Sequence, residues 1–147
     1  MRIDVRRLKY SGKYQTEFSF DYDAPSDIVT LPDARIDKLV NVSGSLELHD
    51  EDVYVDGTVK CTIVGKCARC LEDAIYDFNS DFSVKYVLSD AQEDDYLYRS
   101  GVVDLKEAVN DVLLLNMAST IYCKEDCKGL CHCCGVNLNK SKCNCKK

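Results

Sequence analysis

Ten cysteines in 147 residues, at positions 61, 67, 70, 123, 127, 131, 133, 134, 143 and 145, constrain this chain more than any other feature. Seven of them follow Ile121. In a short secreted chain such density signals a disulfide framework. Here the opening residues Met1 to Lys9 carry neither an apolar signal core nor a small-residue cleavage site, so a cytoplasmic, reducing setting is expected. Metal binding then becomes the leading reading of the thiols.

The spacing sharpens it. The tail reads Cys123-x3-Cys127-x3-Cys131-x2-Cys134, then eight residues, then Cys143-x-Cys145. A Cys-x2-Cys knuckle turns backbone amides toward its sulfurs, and Gly135 supplies a residue suited to the positive φ of such a turn. Cys131, Cys134, Cys143 and Cys145 are therefore expected to form one four-thiolate zinc site. Cys67-Ala-Arg-Cys70 and the pair Cys123 and Cys127 form two half-sites that a second zinc could join. The alternative exchanges Cys123 and Cys127 for Cys143 and Cys145 in the tail site and leaves Cys67 and Cys70 free. One or two structural Zn2+ ions are expected. Cys61 falls on the apolar side of an alternating stretch and reads as core. Cys133 reads as a spare thiol, His132 as a minor candidate ligand and His49 as a surface residue.

The tail is also a separate compositional unit. Residues 123–147 hold six lysines against Glu125 and Asp126, a formal +4, which leaves −10 on residues 1–122 of a chain whose net charge is −6. Its large aliphatic residues are Leu130, Val136 and Leu138, too few for an unaided core, so it needs a metal staple. Two units are expected: a body over 1–122 and a zinc-binding cysteine-rich tail over 123–147.

Within the body, alternation of period two predicts strands. It runs through Tyr14 to Tyr22, Val40 to Leu48, Val53 to Ile63 and Ala74 to Leu88, with Asp50-Glu51-Asp52 as a hairpin turn. Residues 89–101 read as a polar, mobile loop. Asp104-Leu105-Lys106-Glu107 reads as a capped helix start, and Leu105, Ala108, Val109, Val112, Leu113, Asn116 and Met117 form an apolar stripe of about four turns, over roughly 104–118. Asn116 is expected to be a buried amide. The fold class is α+β: a mainly antiparallel sheet or partly open barrel, one packed helix, and a zinc-knuckle tail.

Catalytic signatures are missing from the sequence. It contains no phosphate-binding glycine loop, no nucleophile elbow and no dinucleotide fingerprint, and neither histidine is placed to serve a cysteine nucleophile. A non-enzymatic protein without a small-molecule substrate is expected. No apolar run approaches the roughly 18 residues of a membrane span, so no membrane partner is expected. The body's negative charge opposes phosphate binding, which predicts direct RNA contact that is weak or local to the tail. A thiol redox switch, in which zinc release and oxidation expose a binding surface, is the alternative reading of the cysteines.

Cys67-Ala-Arg-Cys70-Leu71 after a hairpin, the acidic stretch, the Asp104-Leu105 helix, and Gly129-Leu130-Cys131-x-x-Cys134-Gly135-x-Asn137-Leu138-Asn139 closing in Cys143-x-Cys145 together resemble the YceD family of bacterial proteins. The resemblance covers nearly the whole chain. It departs at His132, where many members carry proline, and in Cys61 and Cys133. It implies a non-enzymatic factor in accumulation or processing of large-subunit (23S) ribosomal RNA, acting in ribosome assembly. With the charge argument, the expected partner is a basic ribosomal protein or another assembly factor on the large-subunit precursor.

Overall fold

The computed structural model describes residues 1–145. Lys146 and Lys147, counted above in the basic tail, lie outside the described residues. The elements are β1 (Arg2–Asp4), α1 (Val5–Tyr10), β2 (Gln15–Tyr22), a 3-10 turn (Ser26–Ile28), β3 (Arg35–Ile36), β4 (Val40–His49), β5 (Asp52–Lys66), β6 (Asp73–Val87), β7 (Asp95–Leu97), β8 (Val102–Asp104) and α2 (Lys106–Asn116). The class is α+β. The strands form two open sheets rather than a barrel: one in the order β2-β4-β5-β6-β7 with β3 also on β5, and a ribbon of β1 and β8. All pairings are antiparallel except β6 with β7.

The alternation in the sequence is the inside-outside pattern of these strands. Val40, Val42, Leu46 and Leu48 of β4 and Val53, Val55, Val59, Cys61 and Ile63 of β5 are buried. Phe78, Phe82 and Tyr86 of β6 lie in the same core, as do Ala108, Val109, Val112 and Leu113 of α2. One row across the sheet departs from bulky packing. Phe18, Gly44, Gly57 and Phe82 lie side by side on four neighbouring strands. The two glycines bring β4 and β5 so close that a β-carbon on Gly44 would fall on the Asp56 carbonyl. The Phe82 ring lies against the backbone at Gly57.

Helix α2 is shorter than the stripe suggested. Its regular turns run Lys106–Asn116 and stop where Met117 turns extended, at φ −67° and ψ 134°. The N-cap is Leu105 rather than Asp104; from one residue before it, Asp104 accepts the Lys106 amide at 3.1 Å while remaining in register with Arg2 of β1. Asn116 is exposed, so it is not the buried amide expected. The buried stripe turns away from it after Leu113. On the core side, Asn110 fills the polar role: its side-chain oxygen accepts the Tyr22 hydroxyl at 2.9 Å.

Residues 89–101 are not a featureless loop. Within them β7 adds a short parallel strand beside β6, and three tyrosines anchor the segment's surroundings. The Tyr98 hydroxyl donates to the Glu51 carbonyl at 2.6 Å, that of Tyr96 to Asp111 at 2.7 Å, and that of Tyr86 to the Asp104 carbonyl at 3.2 Å. The acidic residues face outward while Tyr98, 4% exposed, holds the segment to the core. Among the described residues, no helix is long and apolar enough to cross a membrane.

Candidate metal centres

Nine of the ten cysteines lie at or beyond the end of β5, and eight of them gather into two groups. Cys67, Cys70, Cys123 and Cys127 form the first; Cys131, Cys134, Cys143 and Cys145 form the second. Within each group the sulfurs lie within 4.8 Å of one another. Cys123 and Cys127 thus sit with the sheet's half-site rather than with Cys131 and Cys134. The first group is the more enclosed, with Cys67, Cys70 and Cys127 buried.

Each group is built on the same backbone knuckle. In the first, the Leu71 amide donates to the Cys67 carbonyl at 3.0 Å and the Cys67 amide to the Glu72 carbonyl at 2.8 Å. In the second, the Gly135 amide donates to the Cys131 carbonyl at 2.8 Å and the Cys131 amide to the Val136 carbonyl at 2.8 Å. The amide two residues on, Arg69 or Cys133, points to the leading sulfur at 3.4 Å in both. The closing residue is left-handed in both, Leu71 at φ +61° and Gly135 at φ +72°. Glycine adopts that conformation without strain; leucine does so at a cost of about 1 kcal/mol or more. A backbone repeat therefore underlies two stretches whose side chains share little beyond the paired cysteines, and sequence comparison within the chain misses it.

The electrostatics favour a cation. Burial opposes ionisation of Cys67, but the amides of Cys123, Arg69 and Cys70 outweigh it and bring the thiol down to about 6. Amides of Cys134 and Cys133, with the Cys143 thiol, bring Cys131 to about 6. Once one sulfur of a group is charged, the next resists: Cys70 and then burial push Cys123 up to about 12, and Cys143 and Cys134 do the same to Cys145. A bound cation removes that conflict and lets all four sulfurs ionise.

The donor spacing fits. A tetrahedral thiolate centre with metal–sulfur bonds of about 2.3 Å has sulfur–sulfur edges of about 3.8 Å. The observed separations are 3.8 Å for Cys67 to Cys127, 3.5 Å for Cys70 to Cys123, 3.7 Å for Cys134 to Cys143 and 3.2 Å for Cys131 to Cys143. The two cysteine groups could hold metal ions.

The remaining candidates fall outside both groups. His132 and Cys133 are exposed, and Cys133 contributes its backbone amide rather than its sulfur. His49 is a surface residue beside Glu47. Cys61 is buried on β5, and desolvation pushes its thiol up to about 11. The fold thus favours its neutral form: this contribution is full below the ordinary value near 9 and is lost as pH rises through about 11. Cys61 is expected to resist iodoacetamide at pH 8 in the native chain while exposed Cys133 alkylates readily, as mass-mapped labelling would show.

Residues to which the sequence assigned no role tie the two groups to the sheet. The Leu130 amide donates to the Arg69 carbonyl at 3.0 Å, and the Arg69 guanidinium to the carbonyls of Glu125 and Cys127, each at 3.2 Å. Arg69 also lies over the Tyr122 ring, 4.5 Å from its centre. Glu72 accepts from Lys140 at 2.7 Å and Asn137 at 3.3 Å. Lys140 and Asn137 hold the Glu72 carboxyl below its usual range.

Comparison with known proteins gives the arrangement a family. The family model described as the large ribosomal RNA subunit accumulation protein YceD matches residues 55–147. An uncharacterised protein of Mycobacterium tuberculosis is 29% identical over 147 residues, covering 94% of this chain and 70% of the relative. The chloroplastic large ribosomal RNA subunit accumulation protein YCED homolog 1 of Arabidopsis thaliana is 25% identical over 177 residues, covering 98% of this chain and 54% of the relative. Its namesake in Zea mays is 29% identical over 83 residues, covering 56% of this chain and 25% of that protein. No solved structure matches significantly. The family match takes in most of β5, all of β6 and α2, and all eight clustered cysteines, and the chain belongs to the YceD family.

Proposed function

We propose that this protein is a non-enzymatic factor in large-subunit ribosomal RNA accumulation that acts during ribosome assembly in the cytoplasm. Its family membership carries the reading, together with the names of the plant relatives. Two structural zinc ions, one in each cysteine group, hold its C-terminal region. All-sulfur, four-donor closed sites suit zinc in a structural role, and they leave no position for a reacting water.

Contact with the precursor runs through protein rather than naked RNA. Each loaded four-cysteine site counts as −2, so two of them take the chain from −6 to about −10. A groove between α2 and the β6–β7 region supports an acidic docking face. Asp81, Glu93, Asp94, Asp95, Glu107 and Asp111 line it, with Leu97 and Leu115 among its apolar residues and no lysine or arginine. Leu115 is 81% exposed. Such a surface suits a basic ribosomal protein or another assembly factor with basic and aliphatic side chains interspersed.

The test is a sucrose gradient of host lysate containing the tagged protein. Comigration with large-subunit precursors is expected, with weakened comigration when Glu107 and Asp111 are both changed to lysine. Depletion should lower large-subunit ribosomal RNA relative to small-subunit RNA. Wild-type protein that stays at the top while precursors are plentiful, with unaltered RNA ratios on depletion, would overturn the reading.

A further inference from the structure

The segment that closes the second cysteine group also reaches the first. Between Cys134 and Cys143, the chain folds over residues 137–141 into a turn in which the Lys140 and Ser141 amides both donate to the Asn137 carbonyl at 3.0 Å. At its centre the Asn139 side-chain amide donates to the Cys127 sulfur of the first group at 3.3 Å. Asn139 is fixed in that pose from three sides. Its side-chain oxygen accepts the Lys128 amide at 2.9 Å, while its side-chain and backbone nitrogens each donate to the Asn137 side-chain oxygen at 3.0 Å.

We infer that Asn139 is a positioning residue for the first cysteine site, so that filling of the second site strengthens metal binding at the first. The inference rests on the two-metal reading above. A hydrogen bond to a thiolate offsets part of its charge and fixes its direction, and such outer partners are typically worth about 10- to 100-fold in metal affinity. A filled second site would add further order to that network. Cys134 and Cys143 bracket the turn, and a metal between them closes it. Without that closure, the turn's ties to the sheet include the exposed Lys140–Glu72 pair, with side chains 65% and 48% exposed, a type of contact that holds chain weakly.

The inference requires the whole chain loaded with cadmium-113, whose resonance reports sulfur ligation, and zinc affinities from competition with a chromophoric chelator. Asn139→Ala is expected to weaken the first site about 10- to 100-fold and to move its cadmium resonance while the far-ultraviolet dichroism stays unchanged. Asn139→Asp, which loses the donor and adds negative charge, should weaken it further. Cys143→Ser should weaken the first site in the same sense, and adding Asn139→Ala to it should change little more. On the unaltered chain, stepwise chelation that empties the second site first should shift the resonance of the first. Two bound metals with a first site indifferent to Asn139→Ala and to emptying of the second would overturn the inference alone. Fewer than two bound metals in the unaltered chain would overturn the two-metal reading beneath it.

Discussion

Cys67→Ser is expected to leave one zinc per chain instead of two and to open the region after α2 to proteolysis. Cys67 has no exposed surface, lies one residue past the end of β5, and sits with a buried sulfur from the far side of the helix, Cys127. A serine oxygen is a poorer partner for a four-sulfur centre, and the three cysteines left behind offer one thiolate fewer than a closed zinc site needs. Structural zinc contributes on the order of 10 kcal/mol to the folding of small zinc modules. The segment it holds has few alternatives, since Ile121, Cys127 and Cys131 are its buried apolar side chains. The β2-β4-β5-β6 sheet has a core of its own and should keep a cooperative melting transition. Metal analysis, limited chymotrypsin digestion and a thermal melt on one sample would decide it. Two zinc ions retained with an unchanged digestion pattern would show that Cys67 holds no metal.

The second large effect is expected far from any cysteine. Gly44→Val should abolish folding or cost more than about 4 kcal/mol in denaturant unfolding, a range reserved for severe backbone or core conflict. A β-carbon there meets the Asp56 carbonyl and the Gly57 α-carbon, both backbone atoms of a central strand that cannot step aside. Gly57→Ala should be milder. Its new methyl meets the Phe82 ring at 2.9 Å, which can tilt, as well as the Ser43 carbonyl at 2.8 Å. A soluble Gly44→Val protein within about 1 kcal/mol of the parent would mean that β4 and β5 are not apposed at this row.

The same row shows what the sequence made legible. Period-two alternation found β2, β4, β5 and β6 and the hairpin turn between β4 and β5, because those strands bury one face and the pattern records that burial. It passed through Gly44 and Gly57 without revealing that they face each other, since register is a relation between strands. The first ten residues escaped altogether. β1 is three residues long, and its partner β8 lies about a hundred residues away, so no local period marks either. In residues 89–101 the many carboxylates masked the buried Tyr98 and the half-buried Tyr96; two tyrosines inside an acidic run were the signal available. The cysteine spacing pointed to groups of four, while Arg69 and Asn139 lay inside the quoted motifs without a role, because their links between the groups and to the sheet are tertiary contacts.

The make-up of the first cysteine group also sets a timetable. Its halves are separated by 53 residues from Cys70 to Cys123 and 60 from Cys67 to Cys127. A ribosome making this chain releases the hairpin and its two thiols well before the sulfurs that complete them. Contacts this remote in sequence form late, after the nearer strand pairings have narrowed the search. On the two-metal reading, metal insertion would be a finishing step of biosynthesis, and a chain interrupted just before Cys123 would carry every strand of the sheet with an open pair of thiols in the β5–β6 turn. Zinc supply would govern how many newly made chains mature rather than whether the sheet forms.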